Sequence, residues 1–325
     1  MIPPAVIAHA DWSTDPRKRQ TAVATLVAGG GAAGSPTAAS RYRVISLAPA
    51  PGGGVGRLGG LFHALREAAS PGQALVGVDF PIGFPLAYAA AAGISSFADF
   101  LGLLGSPPWE SFASVARRPA EISLHRPFYP AAPGGTRRDH LYQALRLTST
   151  ELRRCCEKTD AEILFWTLGN RQVGKGALLG WQLLAAARRT GPGISLWPFD
   201  GELTELLDGG SRTVVAETYP REYYRHFRPH HGLPQRWSKR RRDDRLKQIP
   251  GLLAWAAPLG VSWDPAVLRR VEAGFSGGPN GEDEFDAVVG LIGMIGVVNG
   301  AIPSGEPPDN PTISTVEGWM LGRPG

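Results

Sequence analysis

The stretch that most narrows what this chain can fold into is ALVGVDFPIGFP, residues 74–85. Leu75, Val76, Gly77 and Val78 form an unbroken apolar run, the pattern of a strand buried on both faces. Pro81 and Pro85 end it, and Asp79 stands at its carboxyl end. A carboxylate in such a place is costly unless it is paired or binds a cation, and the carboxyl ends of strands are where open α/β sheets hold ligands. Read alone, Asp79 serves equally well as a turn residue ahead of 81–83. Acids elsewhere in the chain raise it above that reading.

The segments before it read as strands over 6–10, 20–28 and 41–48, then a helix over 55–69 with Leu58, Leu61, Phe62 and Leu65 at helical spacing. The order β-β-β-α-β places carboxylates at the ends of the first strand (Asp11) and the fourth (Asp79). Strand character returns at 194–197 and at 213–218, where Glu217 precedes Tyr219-Pro220. The last clear element, GEDEFDAVVGLIGMIGVVNG, puts Asp286, Gly290, Gly293, Val297 and Gly300 on one helical face. Glycines cost about 1 kcal/mol each inside a helix, so a glycine stripe points to close packing against a sheet. Asp286 heads that stripe and faces the sheet, and Asp283 stands one turn earlier. Dipole complementation accounts for Glu282, Asp283 and Glu284 but not for Asp286.

Asp11, Asp79, Glu217 and Asp286 therefore converge if the strands share one sheet. Clustered carboxylates repel, and an all-oxygen ligand set without His or Cys selects Mg²⁺ or Mn²⁺. Two such ions about 4 Å apart can activate water and stabilise a leaving oxygen in phosphodiester hydrolysis. The expected fold is α/β: an RNase H-like mixed sheet, an antiparallel meander plus parallel strands, flanked by helices. It forms a single domain with core segments at about 1–83, 193–218 and 280–302, helical insertions at about 84–192 and 219–279, and an irregular tail at 303–325. Within the insertions, helices are expected near 139–158 and 236–247, and 162–168 reads as β-like.

VGVDFPIGFP, AETYP around Glu217 and EFDAVVGLIG resemble the blocks of a bacterial domain-of-unknown-function family, number 429, whose members are predicted RNase H-like nucleases. RRCCEKT (153–159), LFWTLGNRQVGKGALLGW (164–181), LWPFDG (196–201) and EGWMLGR (317–323) are similar to blocks of its longer members. The resemblance implies acidic metal ligands at Asp11, Asp79, Glu217 and Asp286. HADWS replaces the glycine-rich GxD segment of many members but keeps the aspartate. The pair Asp283/Asp286 resembles the acidic helix of the Holliday-junction resolvase branch of this superfold, which adds Asp283 as a metal ligand.

Other motifs compete. Residues 169–176, GNRQVGKG, fit G-x-x-x-x-G-K between a strand-like run and a helix, but Gly176 stands where Ser or Thr should hold Mg²⁺. This degenerate loop supports an NTP-using phosphotransferase or NTPase as the alternative function, or, more modestly, a phosphate cradle with Arg171 and Lys175. GVGRLG (54–59) fits G-x-G-x-x-G, a common accident in a chain with 42 glycines. The basic run RWSKRRRDDRLK spaces Lys239, Arg242 and Arg245 to contact phosphates, although a solvated helix face is its plainer reading.

The net charge of +5 adds weak support for a polyanionic partner. Cys155 and Cys156 are adjacent, so they offer neither a zinc spacing nor a disulfide framework, and the histidines show no ligand spacing. The N-terminus does not read as a signal peptide. The longest apolar run, 287–302, is broken by four glycines and Asn299 and falls short of a membrane span, so a cytoplasmic location is expected. The expected activity is divalent-metal-dependent hydrolysis of DNA or RNA, or of a small phosphate-containing molecule. Asp11, Asp79 and Asp286 would hold the ions and Glu217 would complete the shell. A non-catalytic nucleic-acid-binding module is the remaining reading.

Overall fold

A computed structural model of the chain describes residues 1–12, 15, 18–27, 41–49, 57–158, 161–169, 173–190, 193–210, 212–227, 237–278, 280–305, 307 and 309–324. Its strands are β1 (Val6–Asp11), β2 (Gln20–Leu26), β3 (Tyr42–Pro49), β4 (Ala74–Val78), β5 (Ile194–Trp197), β6 (Thr213–Glu217) and β7 (Val261–Trp263). The helices are α1 (Arg57–Ala69), α2 (Leu86–Ala92), α3 (Phe97–Leu103), α4 (Asp139–Leu145), α5 (Val173–Thr190), α6 (Leu203–Asp208), α7 (Pro220–Phe227), α8 (Arg242–Leu246), α9 (Ile249–Ala256), α10 (Pro265–Glu272) and α11 (Asn280–Val298).

The strands form one mixed sheet in the order β5-β6-β4-β1-β2-β3-β7. The meander β1-β2-β3 is antiparallel, whereas β4, β6 and β5 continue parallel from the other side of β1. Ala10 pairs with Val78 and Val78 with Glu217. The ends of β1, β4 and β6 therefore lie side by side, which puts Asp11, Asp79 and Glu217 on one rim.

The two-residue alternation of a strand divides the sheet between two apolar layers. Val6, Ala8, Ala10, Val76 and Val78 pack with α1, α5 and the aromatic insertion. Ile7, Leu75, Val214 and Ala216 face α7, α9 and α11. His9 and Asp11 share the parity of Ile7 and lie under α11, which crosses β1 and β2. At Gly290 of that helix a Cβ would sit 2.4 Å from the His9 ring, so this position needs its bare backbone for the close approach that the stripe predicts. Gly293 meets Tyr223 of α7 instead of a strand, and Gly300 lies past the helix end at φ +71°.

The insertion is welded to the sheet through Phe84. Its ring centroid lies within 6 Å of those of Phe97, Phe100, Phe112 and Trp181, and Trp181 Nε1 donates to the Pro81 carbonyl at 2.7 Å. The turn that follows Asp79 needs Gly83. Its φ is +120°, and a Cβ there would clash with the Glu317 carbonyl at 2.1 Å.

Several expected elements differ. The helix expected over 139–158 stops at Leu145, because Arg146 adopts a left-handed φ of 56°. Residues 162–168 form turns with one isolated bridge, Tyr129 to Trp166. The basic helix shrinks to Arg242–Leu246. The three-residue β7, too short to show in the sequence, is a strand because the edge of β3 supplies its partner. The tail has no regular periodicity, yet it is built into the core: Trp319 and Leu321 are buried, and Met320 bridges Glu217. Among the described residues no single helix is long and apolar enough to cross a membrane.

Candidate active site

The rim of β1, β4 and β6 forms the floor of a cleft of about 560 Å³. Asp11 ends β1 and Asp79 follows β4, so parallel pairing alone brings them together. The Trp12 N–H donates to Asp79 Oδ1 at 2.5 Å and fixes that carboxylate. Asp283 and Asp286 enter from above, on the first turns of α11. That helix start is held down by Arg245 and by Glu284. The Arg245 guanidinium donates to the carbonyls of Gly274 and Ser276 and leaves room only for glycine at Gly281. Glu284 receives Arg270 Nε at 3.0 Å and the Ser276 N–H at 2.9 Å.

The carboxyls of Asp79 and Asp283 both lie beside that of Asp11, and like charges so placed oppose one another's ionisation. Burial, then repulsion from Asp79, Asp286 and Asp283, raises Asp11 well above the usual carboxylate range. Burial raises Asp79 to about 6, although the Trp12 N–H acts against it. Burial and the neighbouring Glu282 raise Asp283 to about 7. Asp283 Oδ2 is buried and has no hydrogen-bond partner. Asp286 is held differently, with the Tyr224 hydroxyl donating to Oδ1 and the Lys239 ammonium to Oδ2. Burial pulls Lys239 down, but Asp286 and Asp11 outweigh it and leave the ammonium more basic than usual.

Glu217 reaches the same rim but not this cluster. Arg154, fully buried, donates Nη2 to Oε1 at 2.6 Å and Nη1 to Oε2 at 2.7 Å, and the Ile82 N–H adds a bond at 2.6 Å. The same guanidinium binds Glu157 at 3.1 Å and the carbonyls of Ile82 and Glu317. The Glu317 carboxylate accepts the N–H groups of Leu86 and Cys155. Glu217 thus ties β6, the insertion and the tail together. A metal bound there would compete with the Arg154 guanidinium for the same carboxylate.

The basic residues also separate. Lys239 is at the cluster. Arg245 is buried, with three carbonyls around it including that of Lys239 at 2.6 Å, so it supports the Lys239 turn and is closed to a phosphate. Arg242 donates to the Ala273 carbonyl at 2.9 Å. Lys175 lies on the first turn of α5 away from the cleft lining, while Val173 and Gly176 reach the cleft. Arg171 lies outside the described residues, as do Gly54, Val55 and Gly56 of GVGRLG. The amide of Gly174 is spent on the Trp166 carbonyl at 3.0 Å, which a phosphate-cradling loop would need free.

Tyr224, Arg154, Glu157 and Glu317 escaped the reading of isolated residues. Arg154, Glu157 and Glu317 do fall inside the RRCCEKT and EGWMLGR blocks, but Tyr224 carries no local signal. Comparison with protein-family models, with curated proteins and with solved structures found no match. Among the described residues no group of three or more His, Cys, Asp or Glu side chains forms a ready-made metal site. The donor chemistry nevertheless suits a hard divalent ion: Asp11, Asp79 and Asp283 supply only oxygens, one of them buried and unpartnered, and a cation would relieve their mutual repulsion.

Proposed function

We propose that the chain is a divalent-metal-dependent phosphodiesterase acting on nucleic acid, built on an RNase H-like fold. The observation that carries this reading is the meeting of Asp11, Asp79 and Asp283 at the floor of the cleft, buried and mutually repelling, with one unpartnered oxygen. The sheet supports it too, since an antiparallel meander joins parallel strands at β1 and the acids end the adjacent strands β1 and β4.

Asp11, Asp79 and Asp283 would hold Mg²⁺ or Mn²⁺, with Asp286 beside them. A bound ion of this kind polarises a phosphoryl oxygen and makes water nucleophilic near neutral pH. The chain does the rest. The Trp12 N–H orients Asp79, and Tyr224 orients Asp286. Lys239 holds a half-exposed positive charge beside Asp286 and could meet a phosphoryl oxygen from there. Lys18 and Arg221 line the walls beside Lys158, Arg240 and Arg323, which pair with Glu222 and Glu282, so a phosphodiester would exchange with those acids for its cationic partners.

The test is hydrolysis of single-stranded DNA, duplex DNA, RNA and a small aryl phosphodiester with Mg²⁺ or Mn²⁺, wild type against Asp79→Asn. Metal-dependent turnover in the wild type that is lost in the variant is expected. Equal turnover in both would end the assignment. Tight, salt-sensitive binding without turnover would make the chain a nucleic-acid-binding module.

A further inference from the structure

The rim carries an aromatic ring that the interior does not use. Of the large apolar side chains exposed among the described residues, Tyr219, at 39%, is the one that lines the aspartate cleft. Among those residues no other ring packs against it. Tyr219 follows Thr218, whose N–H donates to the Val78 carbonyl at 2.8 Å. Asp79 follows Val78, so Tyr219 and Asp79 leave neighbouring strands side by side, at a strand spacing of roughly 5 Å. The Tyr219 hydroxyl acts electrostatically on that of Tyr224, which donates to Asp286, so the ring is on the aspartate side. Pro220 confines Tyr219 to an extended backbone, and the Tyr219 carbonyl accepts the Glu222 N–H at 2.8 Å. The residue is therefore held while its side chain stays open.

On the other flank of Asp79 the wall leaves room. Phe80 follows Asp79 and packs under α5, which has glycines at 174, 176 and 180. A Cβ at Gly174 would run into the Trp166 carbonyl at 2.6 Å, and one at Gly180 into the Phe80 ring at 2.3 Å. At Gly176, among the described residues, it would meet only the Phe80 Cβ at 3.7 Å, an ordinary contact. Glycine weakens a helix and internal packing does not require it at Gly176, yet this is the glycine of α5 that lines the cleft. Its bare backbone widens the cleft beside Asp79.

We propose that Tyr219 is a stacking platform for an unpaired nucleobase next to the reacting phosphate, with Gly176 leaving space for that nucleotide, so that the substrate is single-stranded nucleic acid. This assignment rests on the cleft being a phosphodiesterase site and adds its substrate class. Every base has a π-face, so an open tyrosine holds one without regard to sequence. In a duplex the bases are paired and stacked on each other, and their faces are out of reach unless a nucleotide is extruded. A cleft of about 560 Å³ is the size of a small-ligand pocket, which suits one nucleotide and not the body of a duplex.

Fluorescence anisotropy of the full chain, with Ca²⁺ to balance the carboxylates, tests this with a labelled oligothymidine and an abasic strand of the same length. The wild type is expected to prefer the base-bearing strand by about tenfold or more. Tyr219→Ala should abolish that preference, Tyr219→Phe should keep it because the ring remains, and Gly176→Leu, which fills the space, should reduce it several-fold. The preference is a ratio measured on one protein, so a poorly folded fraction cancels. Equal affinity of the wild type for the two strands, or a preference unchanged in Tyr219→Ala or in Gly176→Leu, overturns the proposal. Turnover of the small aryl phosphodiester by the wild type keeps the two questions apart. Turnover without a base preference ends the substrate assignment and leaves the phosphodiesterase. A base preference lost in Tyr219→Ala, with no turnover of any substrate, upholds the platform and ends the catalytic reading.

Discussion

Two buried acidic groups sit side by side on one rim and are neutralised in opposite ways. Glu217 and Glu157 share the guanidinium of Arg154, and every oxygen of Glu217 has a donor. Among the described residues the four aspartates face one ammonium, that of Lys239, which sits on Asp286. Asp11, Asp79 and Asp283 answer with carboxyls that ionise less readily than usual. Acids that bring their own counter-ion knit the fold. Acids left short of positive charge are where a ligand changes the energy most.

The largest expected effect is on the first group. Arg154→Met leaves two carboxylates buried without a cation and should cost about 3–5 kcal/mol of stability, measured by urea unfolding. Adding Glu217→Gln should recover much of it. A loss under 1 kcal/mol for Arg154→Met, on the order of an exposed pair, would erase the contrast.

Next comes Asp79→Asn. Asn still accepts the Trp12 N–H, so stability should hold or rise, whereas metal-dependent hydrolysis should fall by about 100-fold or more. A variant both inactive and strongly destabilised would make Asp79 a second structural acid.

The third prediction concerns pH in chelator. Folded Asp79 and Asp283 titrate near 6 and 7 against an ordinary 3.8, so the folded state binds more protons than the unfolded chain in this range. Their contribution to stability is full below about pH 4 and is lost as pH rises through 6 to 7. Melting temperature should therefore fall across that window, and Mg²⁺ or Mn²⁺ should restore it at pH 7 and above. A flat profile would mean that the cluster carries no excess charge.

The smallest effect is expected from Lys239→Met. Removal of the resident ammonium should tighten Mn²⁺ binding by about tenfold, roughly 1.4 kcal/mol, in calorimetry, while hydrolysis per bound metal falls. Unchanged affinity would show that Lys239 and the metal do not compete for the same charge.

The sequence carried the rim further than the walls. Asp11 and Asp79 could be read because each ends a short apolar run, and a strand's end needs no partner to be recognised. Asp286 could be read because a glycine stripe marks which helical face is packed. Glu217 looked equivalent by the same rule. Its difference comes from Arg154, 63 residues away in the chain, and no local pattern announces a partner at that distance. Arg245 failed in the same way: in a basic run it looks like a phosphate contact, and the Gly274–Ser276 carbonyls that enclose it come from another segment.

By itself, then, the sequence determined most of the strands and helices of the sheet core, the packed face of the last helix, and the acids at the rim. These follow from periodicity and from the cost of burying charge, which neighbouring residues already express. Only the tertiary structure decided which acids receive a guanidinium and which are left to repel one another, because charge balance in a buried site is set by whatever distant side chains the fold brings within hydrogen-bond reach.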